Sequence, residues 1–177
     1  MVPISHRSEF RGVHFTSLRD GTQYCCHHPV ARRRAVWACA GPARAPISLS
    51  IEELARLPTV RVNVTFLTEH GTHSASFEGP LLWTVLQKAG VVDPAMHREQ
   101  ASESVVLLGR DGYRAVLALG EIAPEFEGKQ VILAERMDDQ PLDAGQLRII
   151  VPLDKRGGRS VRQVERIEVS TPLTGSQ

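Results

Sequence analysis

Apolar and polar positions alternate most cleanly at residues 60–67. Val60, Val62, Val64 and Phe66 fall on one side of an extended chain, Arg61, Asn63 and Thr65 on the other. A period of two predicts a strand with the valine face in the core. Just before it, Ser50 and Glu53 make a capping-box pair and Pro58 blocks continuation, so residues 50–57 predict a short helix. The clearest helix is at residues 80–89. Pro80 suits a first turn, Gly90 a C-terminal cap, and Leu81, Leu82, Val85, Leu86 and Ala89 make one apolar stripe. Trp83 lies off the centre of that stripe and is expected to pack over the core edge.

The other elements are short. Residues 74–77 predict a returning strand and 92–104 a polar loop or insertion. Residues 105–108 predict a buried strand, turned at 109–112 into a partner at 113–119. Residues 120–127 hold one helical turn at most, 130–134 another strand and 137–141 a turn. The chain then reads as strand, basic glycine loop and strand from Leu147 to Val169, a closing pair. About seven strands against two helices, without β-α-β alternation, repeats or heptads, predict an α+β fold. It is mostly β, a mixed-sheet domain over residues 47–170 with helices at its margin and a loose tail at 171–177.

Residues 1–46 keep no period and are expected to be an unstructured leader. Within them, three arginines (Arg32, Arg33, Arg34), a short apolar run and an Ala-Arg-Ala ending at Ala45 have the order of a secretory signal read from a start too far upstream. Export to the periplasm or outside the cell follows if Arg32–Ala45 is such a signal, and a cytoplasmic location if it is not. Cys25, Cys26, His27 and His28 invite a metal reading, but four consecutive residues do not converge tetrahedrally on one ion, so no metal site is expected there.

The composition excludes several classes. Charged residues make up 23% of 177 positions and the net charge is +1, which argues against a nucleic-acid-binding surface. No apolar run approaches the roughly 20 residues of a membrane span. All three cysteines lie in the first quarter, so disulfides cannot frame the domain.

No nucleophile elbow, phosphate loop or zinc-protease motif is present. Three clusters remain. Lys155, Arg156, Arg159 and Arg162 place four cations in eight residues around Gly157 and Gly158, whose backbones are free to take positive φ. Such a loop can hold an anion, or it is a solvated turn. Glu69, His70 and His73 could bind a metal or move a proton if the loop turns at Gly71, or are surface residues beside a turn. Arg110, Asp111 and Tyr113 form a third polar set, with turn chemistry at Asp111-Gly112 as the plainer reading.

The order of motifs from Leu108-Gly109-Arg110-Asp111-Gly112-Tyr113, through Val131-Ile132-Leu133-Ala134 and Gln140-Pro141-Leu142, to Leu147-Arg148-Ile149-Ile150-Val151-Pro152 and Val161-Arg162-Gln163-Val164 resembles the molybdopterin-binding domain of the sulfite oxidase family. Phe77 to Trp83 resembles that family's helix after the substrate-side loop. The resemblance implies an anionic partner, the molybdenum cofactor, whose pterin carries a dithiolene and a phosphate, together with oxidoreductase activity and a redox partner protein. It implies that Arg159 and Arg162 contact the cofactor where Gly157 and Gly158 let the backbone approach. It also places a metal-ligating cysteine at about Thr68, and this sequence has no cysteine between Ala40 and Gln177. Neither threonine nor histidine reproduces a thiolate. The resemblance therefore predicts a relative with divergent redox activity, with His70 or His73 near the vacant ligand position. The alternative is a non-catalytic module of the same fold that recognises a small anion or a protein.

Overall fold

The computed structural model describes residues 35–40, 47–68, 71–143 and 146–170. In chain order these form β1 (Ala35–Ala40), β2 (Ile47–Ser50), α1 (Ile51–Leu54), β3 (Thr59–Thr68), β4 (Gly71–Pro80), α2 (Leu82–Lys88), α3 (His97–Ser102), β5 (Ser104–Gly109), β6 (Arg114–Ala118), α4 (Leu119–Ile122), β7 (Ile132–Ala134), β8 (Arg136–Met137), β9 (Gln140–Pro141), β10 (Arg148–Ile150) and β11 (Val164–Ser170), with a 3-10 turn at Gly157–Arg159. The fold is α+β and mostly β, as expected.

Three sheets carry it. A five-stranded sheet runs β2-β1-β11-β5-β6, a four-stranded one β3-β4-β8-β9, and β10 pairs with β7 alone. All neighbours are antiparallel except β1 and β11, which makes the first sheet mixed. The larger apolar cluster lies under that sheet and takes in α2 through Leu82, Trp83, Val85, Leu86 and Ala89; Trp83 packs in the core. The smaller cluster forms on the inner face of β3 and β4, where Val62, Val64, Ala75 and Phe77 are buried.

Strands β7 and β10 lie between the two clusters. Leu133 and Ile149 point into the larger one, Ile132, Ala134 and Ile150 into the smaller. A strand buried on both faces reads as a continuous apolar run, which is why residues 131–134 and 147–151 do not alternate. Gly79 makes this packing feasible, because a Cβ there would sit 2.1 Å from the Leu133 carbonyl oxygen.

Four expectations are corrected. The supposed leader contributes β1, an internal strand paired with both β2 and β11, while residues 1–34, with Cys25 to His28, and 41–46 lie outside the described residues. The polar segment at 92–104 contains α3, whose single buried side chain is Gln100, held by its amide to the carbonyls of Asp93 and Pro94. The closing pair is not a hairpin: β10 pairs with β7, β11 with β1 and β5. Finally, the returning strand begins at Gly71 and not at Ser74, so His73 is a strand residue opposite Phe66.

The capping box at α1 is present in full. Ser50 Oγ accepts the Glu53 N–H and Glu53 accepts the Ser50 N–H.

Candidate functional site

The basic segment between β10 and β11 folds back on itself. Ser160 Oγ accepts the Val151 N–H at 3.1 Å, and the Ser160 N–H donates to the Gly157 carbonyl at 3.0 Å. Three elements then hold it. The end of β3 reaches it through the Leu67 N–H, which donates to the Lys155 carbonyl at 3.0 Å. The turn between β5 and β6 reaches it twice, by the Tyr113 hydroxyl donating to the Gly158 carbonyl and by the Arg110 N–H donating to the Gln163 carbonyl at 3.0 Å. Here Gly109 is required, because a Cβ would meet the Arg162 carbonyl at 2.9 Å and Asp111 Oδ1 at 2.8 Å. The third element is α4.

That third contact is electrostatic. Arg159 forks onto Asp154, with Nε to Oδ2 at 2.9 Å and Nη2 to Oδ1 at 2.6 Å, while its Nη1 donates to Glu121 Oε2 at 2.9 Å. Glu121 also accepts the Ala118 N–H at 3.1 Å through Oε1 and Lys129 Nζ at 3.1 Å through Oε2. The Arg159 hydrogen bonds hold the Asp154 carboxyl below its ordinary range against the opposing effect of burial. Burial pushes Glu121 up, but the Ala118 N–H, Arg159 and Lys129 outweigh it and hold it down. Asp154 in turn raises the Arg159 guanidinium, so this charge is fixed.

The cations of the segment thus have different fates. Arg159 is balanced within the protein and ties the segment to α4. Lys155, Arg156 and Arg162, with Arg110 across the turn, are exposed and have no carboxylate partner among the described residues. Gly157 and Gly158 do not adopt positive φ; the left-handed residues nearby are Leu153 (φ 68) and Gln163 (φ 49). Nor does the protein itself fill the space over the two glycines. A Cβ at Gly157 would make ordinary contact with the Phe66 ring at 3.5 Å, and one at Gly158 would find nothing nearer than the Tyr113 hydroxyl at 3.9 Å. The two glycines, whose carbonyls accept the Ser160 N–H and the Tyr113 hydroxyl, lie without side chains between Phe66 and Tyr113, beside four cations with no carboxylate partner among the described residues.

The structure therefore brings together Arg110, Tyr113, Lys155, Arg156, Gly157, Gly158, Arg159 and Arg162. His73 shares a strand face with Phe66, its cross-strand partner, and is exposed. His70 and Glu69 lie outside the described residues. No group of three or more His, Cys, Asp or Glu side chains able to hold a metal occurs among the described residues. Sequence reasoning missed Phe66, Asp154 and Glu121 as parts of the site's frame, and Arg148 beside it. The signal for Arg148 was a lone cation inside an apolar run.

A glycine-backed cationic face of this kind has the chemistry to accommodate an anion. Residues 27–175 match the pattern of the oxidoreductase molybdopterin binding domain, and the chain belongs to that family. Among solved structures it is similar to the sulfane dehydrogenase SoxCD from Paracoccus pantotrophus, at 16% identity and a TM-score of 0.62 over 84% of this chain. It spans 41% of that chain. No curated protein matches it significantly.

Proposed function

We propose that the chain binds a molybdopterin-type cofactor by its anionic end, on the face formed by Lys155, Arg156, Arg162 and Arg110 over the side-chain-free backbone of Gly157 and Gly158. The observation that carries this reading is that backbone: neither φ nor internal packing requires two glycines there, so a ligand's close approach is the remaining reason for them. Tyr113 and Phe66 wall the space on either side. Arg159 acts as a positioning residue through Asp154 and Glu121.

The residues fit the anionic end of such a cofactor and supply no sulfur ligand from the β3–β4 hairpin, where Thr68 stands. When bound, the cofactor supplies the redox chemistry, and the protein supplies binding, orientation and electrostatics. Oxidoreductase activity, with an electron-accepting partner protein, belongs to this reading. The missing thiolate favours the second one, a binding module that holds the ligand without turnover. The pairing of Ala35–Ala40 in the sheet supports a chain that retains this segment over one from which it is removed as a signal.

The test is a Lys155→Glu, Arg156→Glu double variant produced in a host that makes the cofactor. Both side chains are exposed, so the far-ultraviolet circular dichroism should match wild type while bound pterin falls about tenfold or more, as expected on losing charge-assisted contacts. Unchanged pterin content would overturn the assignment of this face.

A further inference from the structure

β3 is ten residues long and stands at the edge of the four-stranded sheet, with β4 as its only strand neighbour among the described residues. In an antiparallel pair, successive residues turn their backbone groups alternately to the neighbour and to the open side. Two sets of hydrogen bonds fix which residues of β3 do which. Ser76 and Glu78, the partners of Asn63 and Arg61, turn their backbone away from β3. The Asp138 N–H donates to the Ser76 carbonyl and the Glu135 N–H to the Glu78 carbonyl, both at 2.8 Å. Leu67 likewise sends its N–H outward, to the Lys155 carbonyl. By the same alternation Arg61, Asn63 and Thr65 present N–H and C=O to the open side. None of the three meets a backbone partner there among the described residues.

The other described edges are short or covered. β2 has four residues, β6 five and β9 two, and β10 is bonded along its second edge by Val161 and Val164. A long open edge is ordinarily blunted by a proline, a bulge or a free charge. β3 contains no proline, and its pairing with β4 runs from Thr59 to Thr68 without a break in register. Its one charged residue, Arg61, is neutralised by Glu78 and Asp139.

We propose that this edge pairs with the same edge of a second copy of the chain, antiparallel about a two-fold axis at Asn63, so that two four-stranded sheets become one of eight strands. Asn63 then faces its own counterpart and Arg61 faces Thr65, each pair exchanging backbone hydrogen bonds with no like charges opposed. On the inner face Val62 meets Val64. Val60 and Phe66, both only partly buried against the smaller cluster, meet each other, a β-branched side chain against an aromatic ring. Sliding the copies by two residues one way leaves Phe66 facing Pro58; the other way needs the Leu67 N–H that Lys155 already holds. This fit of the strand to itself favours a second copy over an unrelated strand. A net charge of +1 sets up little repulsion between copies.

The test is sedimentation equilibrium on the full chain over a concentration series, using protein from a host unable to make molybdopterin so that cofactor loading plays no part. A mass rising from one copy to two is expected. Asn63→Asp sets two carboxylates against each other at the axis and should weaken association about tenfold or more. Asn63→Pro removes an N–H that the fold does not use, as a strand edge tolerates, and should leave a single copy whose circular dichroism matches wild type. Amide exchange at Arg61, Asn63 and Thr65 should slow with rising concentration in wild type and not in Asn63→Asp. If Asn63→Pro fails to fold, Asn63→Asp and the exchange at these three amides decide. A single copy at every concentration up to about 100 μM would overturn the proposal and leave the edge for a strand of another protein. A dimer that the substitutions leave intact, or one without protection at these amides, would overturn it equally.

Discussion

Arg159 faces two carboxylates, and one of them, Glu121, serves Lys129 as well. Its side chain is 35% exposed, so the pairing is screened on one side and weaker than a fully buried one. Replacing it with alanine should cost about 1–2 kcal/mol in chemical denaturation and loosen the segment from α4. Arg159→Lys should recover only part of that, because an ammonium cannot fork onto Asp154. The same network sets an acid limit. Asp154 and Glu121 both have folded-state pKa values below their reference values of 3.8 and 4.5. Their contribution is complete above those reference values and is lost as the pH falls through the lower, folded-state ones. Glu135 has the opposite sign: burial raises it above 4.5, so its ionisation costs stability as the pH rises through the raised value. Glu135→Gln should therefore raise the melting midpoint at neutral pH and leave it nearly unchanged at acid pH, where wild type is already protonated. The clustering of cations was legible in the sequence; which of them is spent internally was not. Glu121 lies 38 residues from Arg159, and only the fold brings them together.

Elements were legible where their signals are local. The Ser50–Glu53 box, the valine face of β3 and the apolar stripe of α2 all depend on neighbours within a few residues, and all three formed. Ser50→Ala, which removes the α1 cap, should cost about 1 kcal/mol in thermal unfolding. α3 was hidden because its N-terminus has no side-chain cap and it buries only Gln100. β10 and β11 were joined as a hairpin because they follow one another, yet their patterns differ. Residues 147–151 are apolar except for Arg148, as two largely buried faces require, while β11 alternates. That difference was visible and pointed to separate sheets. The crossing that lets β7 lie against β4 depends on Gly79. Gly79→Ala drives a methyl into the Leu133 carbonyl, and a loss of about 3 kcal/mol or more is expected, measured by denaturant unfolding.

At the scale of the whole molecule, the strand count and the order of motifs identified an α+β fold of the molybdopterin-binding type. β1 escaped because it is short, alanine-rich and preceded by three arginines; its reason for being a strand lies in β11, far along the chain. The end of β3 meets the basic segment, at Leu67 and Lys155 and at Phe66 and Gly157. They meet without the thiolate that would fix a metal from the β3–β4 hairpin. No described helix is long and apolar enough to cross a membrane. The assembled face sets exposed cations around two adjacent glycines, and the proposal is that an anion binds there. The direct test is molybdenum analysis together with pterin fluorescence on the full chain purified from a host that makes the cofactor. Stoichiometric pterin, with or without molybdenum, is the expected result; protein that carries no pterin at all under those conditions would contradict it.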